Sequence, residues 1–149
     1  MSLLFDTSAI IGTLERRNPN GRRLIDGSDA LPSCHFASLG ELEAGVRNAV
    51  RASGDARRLA GRRATLAFAG RMPRCALPTD QDIACFGVIV ANTSRKLSHN
   101  DQWILAAAFV HTHDLVTEDE GLHDAANDTS LRDAVMSDLG HGPLRSILI

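Results

Sequence analysis

Short apolar runs alternate with longer segments of helical periodicity along this chain, and this alternation restricts the fold more than any other feature of the sequence. Strands are predicted at residues 2–5, 33–36, 74–77, 114–117 and 146–149. Helices are predicted at residues 10–14, 22–26, 41–52, 56–68, 101–111 and 130–139. A further helix is predicted to begin at residue 79 or 80. Consecutive strands joined through helices run parallel, with helices on both faces of the sheet. The pattern predicts an α/β fold, a three-layer α/β/α sandwich with a mainly parallel central sheet, and the length of 149 residues suits a single domain over 1–149.

Four acidic residues lie at the expected junctions between strands and helices. Asp6 directly follows the first strand, and Asp119 follows the strand at 114–117 after one intervening residue. Glu41 and Asp101 are each predicted to open a helix. In a parallel sheet the carboxyl ends of strands and the starts of the following helices share one edge, where ligands bind. Four carboxylates gathered there repel one another unless a cation lies among them, so the sequence predicts a divalent-metal site and a metal-dependent phosphodiesterase.

The residue types of this cluster indicate which cation it would hold. Carboxylate oxygens are hard ligands that suit Mg²⁺ or Mn²⁺. No Cys or His, which would favour zinc, lies in the proposed cluster. Such cations can activate water and stabilise the leaving oxygen in phosphodiester hydrolysis. Polar side chains beside the acids are expected to orient the carboxylates through hydrogen bonds, namely Thr7, Ser8, Asn100 and Thr117.

Each acid also has a purely structural interpretation. Asp6 can cap the helix that follows it, and Glu41 or Asp101 can be a helix-terminal acid that the helix dipole favours. Asp119 can be a turn residue in an acidic surface loop. A different phosphatase class, the haloacid-dehalogenase type, also places an Asp after the first strand but needs a second Asp two residues later, where this chain has Ser8.

Four short segments together resemble the motifs of PIN-domain nucleases. They are, in order, residues 4–8 (Leu-Phe-Asp-Thr-Ser), 39–45 (Leu-Gly-Glu-Leu-Glu-Ala-Gly), 100–108 (Asn-Asp-Gln-Trp-Ile-Leu-Ala-Ala-Ala) and 115–119 (Leu-Val-Thr-Glu-Asp). Their order and spacing agree with that family over residues 3–119, whereas residues 121–149 match none of its motifs. Among PIN domains, the chain looks most like the VapC-type toxins of bacterial toxin–antitoxin pairs.

The resemblance implies a PIN-like fold and a Mg²⁺- or Mn²⁺-dependent endoribonuclease that is usually dimeric and silenced by a small antitoxin. The expected partners are an RNA substrate, a cognate antitoxin protein and a second copy of the chain. Ligand chemistry and the resemblance together assign Asp6, Asp101 and Asp119 to the main metal, and Glu41 to a second metal or to the attacking water. Two alternatives stay open: a PIN nuclease that processes RNA without an antitoxin, and a PIN-like RNA-binding module that has lost catalysis.

Several features predict a cytoplasmic protein that contacts no membrane. The segment Met-Ser-Leu-Leu-Phe-Asp contains no basic residue and is interrupted by an acid after three apolar positions, so no signal peptide is expected. The longest apolar run, 103–110, is much shorter than a bilayer span. Cys34, Cys75 and Cys85 are odd in number and lack C-x-x-C spacing, which predicts reduced residues of the core.

Charge is distributed unevenly, although the net charge is only −2. Residues 47–74 are strongly basic and residues from 113 onward are mainly acidic. Four basic residues would line one face if their helix were continuous, and could then hold an RNA backbone: Arg47, Arg51, Arg58 and Arg62. A break is expected at 53–55, and the alternatives are a solvated face or pairing with an acidic partner or with the acidic end of the chain. The remaining acids near the motifs are predicted to be solvated: Glu43, Glu118 and Glu120.

Overall fold

The computed structural model describes residues 2–52, 54–93 and 96–149. Within these residues the chain forms four strands: β1 (Leu3–Phe5), β2 (Ser33–Cys34), β3 (Asp114–Thr117) and β4 (Ser146–Leu148). It also forms eight helices: α1 (Thr7–Leu14), α2 (Pro19–Asp26), α3 (Phe36–Arg51), α4 (Ala56–Ala69), α5 (Asp80–Asn92), α6 (His99–Val110), α7 (Glu120–Asn127) and α8 (Thr129–Leu139). None of these helices is long and apolar enough to cross a membrane.

The four strands form one parallel sheet in the order β2-β1-β3-β4. Leu4 in β1, one of the two inner strands, pairs with Ser33 on one side and with Leu115 on the other. Because side chains alternate across a strand, Leu4 and Leu115 enter a core completed by α5, α6, α7 and α8. Leu3 and Phe5 point to the opposite face, where α1, α3 and α4 pack. The sheet lies between two helical layers, which confirms the predicted three-layer α/β/α sandwich.

Helix α3 begins well before the predicted start at Glu41, and β2 is correspondingly shorter than the predicted strand at 33–36. The cause is His35, whose Nδ1 accepts a hydrogen bond from the backbone N–H of Ala37 at 3.2 Å and so caps the helix. Burial lowers the pKa of His35 to about 4, so the ring is neutral at pH 7 and Nδ1 can accept. Histidine is not a preferred N-cap residue, and the sequence pattern therefore did not indicate this start.

The helix predicted at 22–26 begins earlier, at Pro19. Asn18 caps α2 by accepting a hydrogen bond from the backbone N–H of Asn20 at 2.9 Å. Pro19 occupies the first turn, where its missing N–H removes no helical hydrogen bond. The chain changes direction at Arg17, whose φ of 57° lies in the left-handed region.

The predicted strand at 74–77 is reduced to one bridge. Cys34 donates its N–H to the carbonyl of Pro73 at 2.8 Å and its carbonyl accepts from the N–H of Cys75 at 3.1 Å. Arg74 is the residue bridged to Cys34, and Leu77 is exposed. The prediction was therefore wrong for all but the first residue of this segment.

The part of the chain after the last motif folds onto the sheet as two helices and an edge strand. Helix α8 and strand β4 agree with the predicted helix at 130–139 and the predicted strand at 146–149, whereas α7 was not predicted. Asp119 caps α7 by accepting a hydrogen bond from the backbone N–H of Leu122 at 3.1 Å. A residue assigned to the site from its position after a strand thus also starts a helix.

All three cysteines are free thiols, as predicted. Cys34 and Cys85 are fully buried, and Cys75 is partly buried. Burial raises the pKa of Cys34 and Cys85 to about 12 and that of Cys75 to about 11. The thiols are therefore protonated at pH 7 and pack as small apolar side chains.

Candidate functional site

Asp6 lies at the end of β1, where it caps α1. Its Oδ1 accepts hydrogen bonds from the N–H of Ala9 at 2.7 Å and from the hydroxyl of Ser8 at 2.8 Å. Its Oδ2 accepts from the hydroxyl of Thr117 at 2.7 Å. Burial raises the pKa of Asp6 to about 6, although these hydrogen bonds from Thr117, Ala9 and Ser8 oppose the rise.

Asp101 is the third residue of α6, not its first, because Ser98 caps the helix. The Ser98 hydroxyl donates to Oδ2 of Asp101 at 2.6 Å, and the Asp101 N–H donates back to the Ser98 hydroxyl oxygen at 3.1 Å. Burial raises the pKa of Asp101, and the charges of Asp119 and Glu41 raise it further against the hydrogen bonds from Ser98. The pKa of Asp101 therefore depends on the charges of two of the other site acids.

Glu41 lies in the second turn of α3, so the prediction that it opens the helix is wrong. Its carboxylate nevertheless reaches the same sheet edge. Oε2 accepts a hydrogen bond from the hydroxyl of Thr7, and Oε1 accepts from the side-chain amide of Asn100 at 3.0 Å. These hydrogen bonds join α3 to the starts of α1 and α6.

Asp119 follows β3 after one residue and is the only one of the four acids whose residue is exposed. Its backbone N–H donates to the hydroxyl oxygen of Thr117 at 2.9 Å. Because the Thr117 hydroxyl itself donates to Asp6, it links the end of β1 to the loop that carries Asp119.

The polar residues predicted to orient the carboxylates all hydrogen-bond to one of the four acids. Ser8 and Thr117 donate to Asp6, and Thr7 and Asn100 donate to Glu41. Their placement agrees with the expected geometry. Their contribution to catalysis stays a prediction.

The four acids come from four separate parts of the chain and share one electrostatic environment. Beyond the effect of burial, the charge of Asp101 raises the pKa of Asp6, and the charges of Asp119 and Glu41 raise the pKa of Asp101. Hydrogen bonds show the same proximity, because Glu41 contacts the neighbours of Asp6 and Asp101, and Thr117 contacts both Asp6 and Asp119. The structure thus brings the predicted carboxylates to one edge of the sheet.

The present side-chain conformations do not form a coordination shell. In the described part of the chain, no group of three or more His, Cys, Asp or Glu side chains is arranged to hold a metal ion. Glu41 is turned toward Thr7 and Asn100, and Asp101 is turned toward Ser98. The all-oxygen donor set suits a hard divalent cation, but joint coordination requires that these carboxylates rotate away from their present partners.

The arginines of the predicted RNA-binding face do not lie on one continuous helix. Helix α3 ends at Arg51 and α4 begins at Ala56, so Arg47 and Arg51 belong to one helix and Arg58 and Arg62 to the next. The spacing that would line up four arginines on a continuous helix therefore does not apply. Contact between these side chains and RNA stays a prediction.

Two of these arginines pair with nearby acids. Arg47 pairs with Glu43 at 2.8 Å within α3, and Arg62 pairs with Glu15 at the end of α1 at 3.3 Å. Glu43 thus takes part in an ion pair and is not simply solvated. The partners of Arg47 and Arg62 come from the first half of the chain, not from its acidic end.

Glu118 lies between Thr117 and Asp119 and was predicted to be solvated, which is wrong. Its carboxylate accepts hydrogen bonds from the side chains of Arg16 and Asn18. No local signal could have indicated these contacts, because the partners are 100 or more positions away in the sequence.

No family model and no curated protein matches this chain, whereas solved structures match it over its full length. VapBC-5 from Mycobacterium tuberculosis, a member of the VapBC family of toxin–antitoxin systems, matches with a TM-score of 0.62 and 20% identity over 99% of this chain and 98% of that chain. VapBC-1 from nontypeable Haemophilus influenzae matches with a TM-score of 0.65 and 20% identity over 99% and 98%. VapBC2 from Rickettsia felis, bound to a DNA fragment from the promoter, matches with a TM-score of 0.65 and 12% identity over 100% and 99%.

At these identities the likeness establishes the fold. The chain has the PIN-like α/β fold of its VapBC neighbours, with an all-parallel sheet of four strands. The four predicted carboxylates lie at the carboxyl edge of that sheet, where α/β folds bind their ligands.

Proposed function

We propose that this chain is a metal-dependent endoribonuclease that hydrolyses RNA phosphodiester bonds and acts as the toxin of a toxin–antitoxin pair. The observation that carries the proposal is the convergence of Asp6, Glu41, Asp101 and Asp119 on one edge of a parallel sheet, where side chains next to each acid hydrogen-bond to another acid or its neighbour. A partly buried group of like charges destabilises the fold unless protons or a cation neutralise it. A site of this kind is expected where function requires it.

The cation that fits these ligands is Mg²⁺ or Mn²⁺. Every candidate ligand is a carboxylate, and hydroxyl and amide groups surround them, which is the donor chemistry that hard cations prefer. When bound, such a cation supplies a Lewis acid that lowers the pKa of water and neutralises charge on the phosphate. Asp6, Asp101 and Asp119 would hold the main cation, and Glu41 would serve a second cation or the attacking water.

The chain's own polar groups hold Asp6 and Glu41 in the metal-free protein. Ser8 and Thr117 hold Asp6 from both oxygens, so its position is set before any ligand arrives. Asn100 and Thr7 hold Glu41 at the starts of two helices. For Asp6, such preorganisation reduces the reorganisation that a reaction requires, whereas Glu41 must leave these two partners to join a shared coordination shell.

The toxin assignment is supported by the fold and by the motif resemblance. VapBC-5 is a member of the VapBC family of toxin–antitoxin systems, and two further structural neighbours are VapBC proteins. We therefore expect a cognate antitoxin protein as partner, RNA as substrate, and a homodimer of this chain.

The central test measures RNA cleavage by the purified chain. We expect cleavage with Mg²⁺ or Mn²⁺ and none after a chelator is added. Asp6→Asn and Asp101→Asn should each lower the rate by about a hundredfold or more, because each removes charge that holds the cation while it keeps the side-chain volume. Asp133→Asn, an exposed acid in α8, is the matched control and should cleave normally. Undiminished cleavage by a folded Asp101→Asn protein would contradict the proposal.

A second experiment separates the toxin from its alternatives. A short upstream reading frame whose product binds this chain and blocks cleavage is expected only for a toxin. Cleavage without any such inhibitor would indicate an RNA-processing nuclease. RNA binding without cleavage, in Mg²⁺ and in Mn²⁺, would indicate a catalytically silent module.

A further inference from the structure

Glu118 occupies the loop between β3 and α7, yet its side chain turns away from the site acids toward the end of α1. Arg16 donates to Oε2 of Glu118, and the side-chain amide of Asn18 donates to Oε1 at 2.7 Å. Both carboxylate oxygens are therefore held, and the Glu118 side chain is only 19% exposed. A solvated ion pair contributes little to stability, but a largely buried and doubly held carboxylate fixes the backbone that carries it.

The turn between α1 and α2 is shaped to present these two partners. Arg17 adopts the left-handed conformation, with a φ of 57°, between Arg16 and Asn18. The backbone N–H of Asn18 donates to the carbonyl of Gly12 at 2.9 Å, which closes the turn against α1. A left-handed non-glycine residue is held only where its surroundings require it. Here the contacts with Glu118 are part of those surroundings.

Gly12 provides the space for this arrangement. A Cβ atom added to Gly12 would overlap the Glu118 carboxylate. The overlap involves the far end of a flexible side chain, so an alanine could be accommodated if Glu118 moved away from Arg16 and Asn18. The contact of Glu118 with Arg16 and Asn18 is called the clamp below. Gly12 is thus required by this clamp more than by the helix itself.

The backbone of Glu118 transmits its position to the site. Its N–H donates to the hydroxyl oxygen of Ser8 at 2.9 Å, and the Ser8 hydroxyl donates to Asp6 at 2.8 Å. On the other side, the N–H of Asp119 donates to Thr117, which donates to Asp6. Asp6 and Asp119 are therefore both oriented through the segment that Glu118 anchors.

We propose that Glu118, clamped by Arg16 and Asn18 over Gly12, is a positioning residue that sets the geometry of the Asp6 and Asp119 carboxylates. The role toward the cation rests on the proposed function. The anchoring of the loop does not, because it is defined by hydrogen bonds of the metal-free chain.

The test compares Glu118→Gln with Glu120→Gln, which removes the same charge from an exposed position on the other side of Asp119. In metal-free protein, amide hydrogen exchange at positions 118 and 119 should be about tenfold faster in Glu118→Gln and unchanged in Glu120→Gln. In a Mn²⁺ titration by calorimetry, Glu118→Gln should bind about tenfold or more weakly, the usual effect of losing a group that orients a ligand. Glu120→Gln should bind within about twofold of the unmodified chain, since an exposed charge acts only through screened electrostatics.

Gly12→Ala gives an independent test through the same clamp. Alone, it should reproduce the faster exchange and the weaker Mn²⁺ binding of Glu118→Gln. In a Glu118→Ala background, where the overlapping carboxylate is absent, Gly12→Ala should have no further effect. This non-additivity is expected only if the two residues act through one contact.

Unchanged amide exchange in Glu118→Gln would overturn the inference, as would equal Mn²⁺ affinities for Glu118→Gln and Glu120→Gln. Additive effects of Gly12→Ala and Glu118→Ala would overturn it as well. If the unmodified chain takes up no Mn²⁺, the proposed function and the role toward the cation both fail. The amide exchange then still decides whether Glu118 anchors the loop.

Discussion

Three of the four site carboxylates also stabilise a helix start. Asp6 caps α1, Asp119 caps α7, and Asp101 belongs to the capping box of α6. The positive end of a helix dipole favours a carboxylate there, which partly offsets the repulsion among the acids. The structural and functional interpretations of these residues are therefore compatible. Glu41 is the exception, because it lies within a helix and is held by side chains.

The thiols give the residue-scale prediction. Cys34→Ala and Cys85→Ala should each lower the free energy of unfolding by roughly 1 kcal/mol, because each leaves a small cavity in a fully buried position. Both variants should keep metal-dependent RNA cleavage. Urea unfolding and a cleavage assay measure the two effects, and Cys75→Ala, at a partly buried position, should lose less stability. Loss of cleavage in a well-folded variant, or stoichiometric zinc in the purified protein, would indicate a different chemistry.

The site residues were predictable where the sequence itself places them at an element boundary. Asp6 and Asp119 follow β-branched or apolar runs, so their location at the sheet edge follows from strand assignment alone. Glu118 shows the limit. Its local surroundings are acidic and predict solvation, and only the tertiary structure brings Arg16 and Asn18 to it.

At the scale of elements, Asp82 belongs to the capping box of α5 and also links this helix to the end of α6. Asp82 accepts hydrogen bonds from the N–H and the hydroxyl of Thr79, at 2.8 and 2.6 Å, and lies 3.0 Å from Nε2 of His111 at the end of α6. Burial by itself raises the pKa of Asp82, but the hydrogen bonds from Thr79 and the charge and hydrogen bond of His111 outweigh it and lower the pKa. A carboxylate of this kind stabilises the fold above its unfolded pKa, and this contribution is lost as the pH falls through the lower folded pKa.

Asp82→Asn should therefore lower the free energy of unfolding at pH 7 by roughly 1–2 kcal/mol. The difference from the unmodified chain should shrink below about pH 4, where the unfolded carboxylate is protonated. Urea unfolding at pH 7 and at pH 3 measures this. Asp80→Asn, in the same first turn but exposed, is the control and should change stability by less than about 0.5 kcal/mol. A difference that does not depend on pH would show that the charge of Asp82 is not what matters.

The next prediction concerns whether arginines of α3 and α4 bind RNA or an acidic segment of the antitoxin. Arg51 and Arg58 are exposed at the two ends of the break between these helices. If they contact the RNA backbone, Arg51→Glu and Arg58→Glu should weaken RNA binding for all sequences and lower the log–log salt slope by roughly 0.7 per lost contact. If they instead hold an acidic antitoxin segment, the same variants should loosen the inhibited complex and leave RNA affinity normal. Measuring the RNA affinity and the antitoxin affinity of both variants distinguishes these two roles. If neither affinity changes, the arginines form only a solvated surface.

The elements were predictable in proportion to how local their signals are. Helix α4 and strand β3 agree closely with prediction, because an Asp caps the first and a β-branched run forms the second. The start of α3 was missed because a buried neutral His35 serves as its cap. The strand at 74–77 failed because only one of its residues finds a neighbour at the edge of β2.

At the scale of the whole molecule, the near-neutral net charge of −2 hides a separation of charge between layers. The basic residues of α3 and α4 lie on the face of the sheet occupied by Leu3 and Phe5. The acidic residues of α7 and α8 lie on the opposite face. The two charged surfaces are thus held apart by the sheet.

The exposed face of α5 provides the last prediction. Ile83 and Val90 lie two turns apart on this helix and are 55% and 47% exposed, and Phe86 between them stacks on Trp103 at 4.3 Å. Apolar side chains aligned on a surface helix are typical of an interface, and one such face can pair with its own copy about a two-fold axis. We expect this face to be buried in the homodimer that the motif resemblance implies.

Light scattering should give twice the chain mass of 16.0 kDa for the unmodified protein and a single chain for Ile83→Glu with Val90→Glu. Leu77→Glu, at an apolar residue exposed in a loop, should remain dimeric. A dimer that persists in the double variant places the interface elsewhere, and a monomer at all concentrations of the unmodified chain excludes the homodimer.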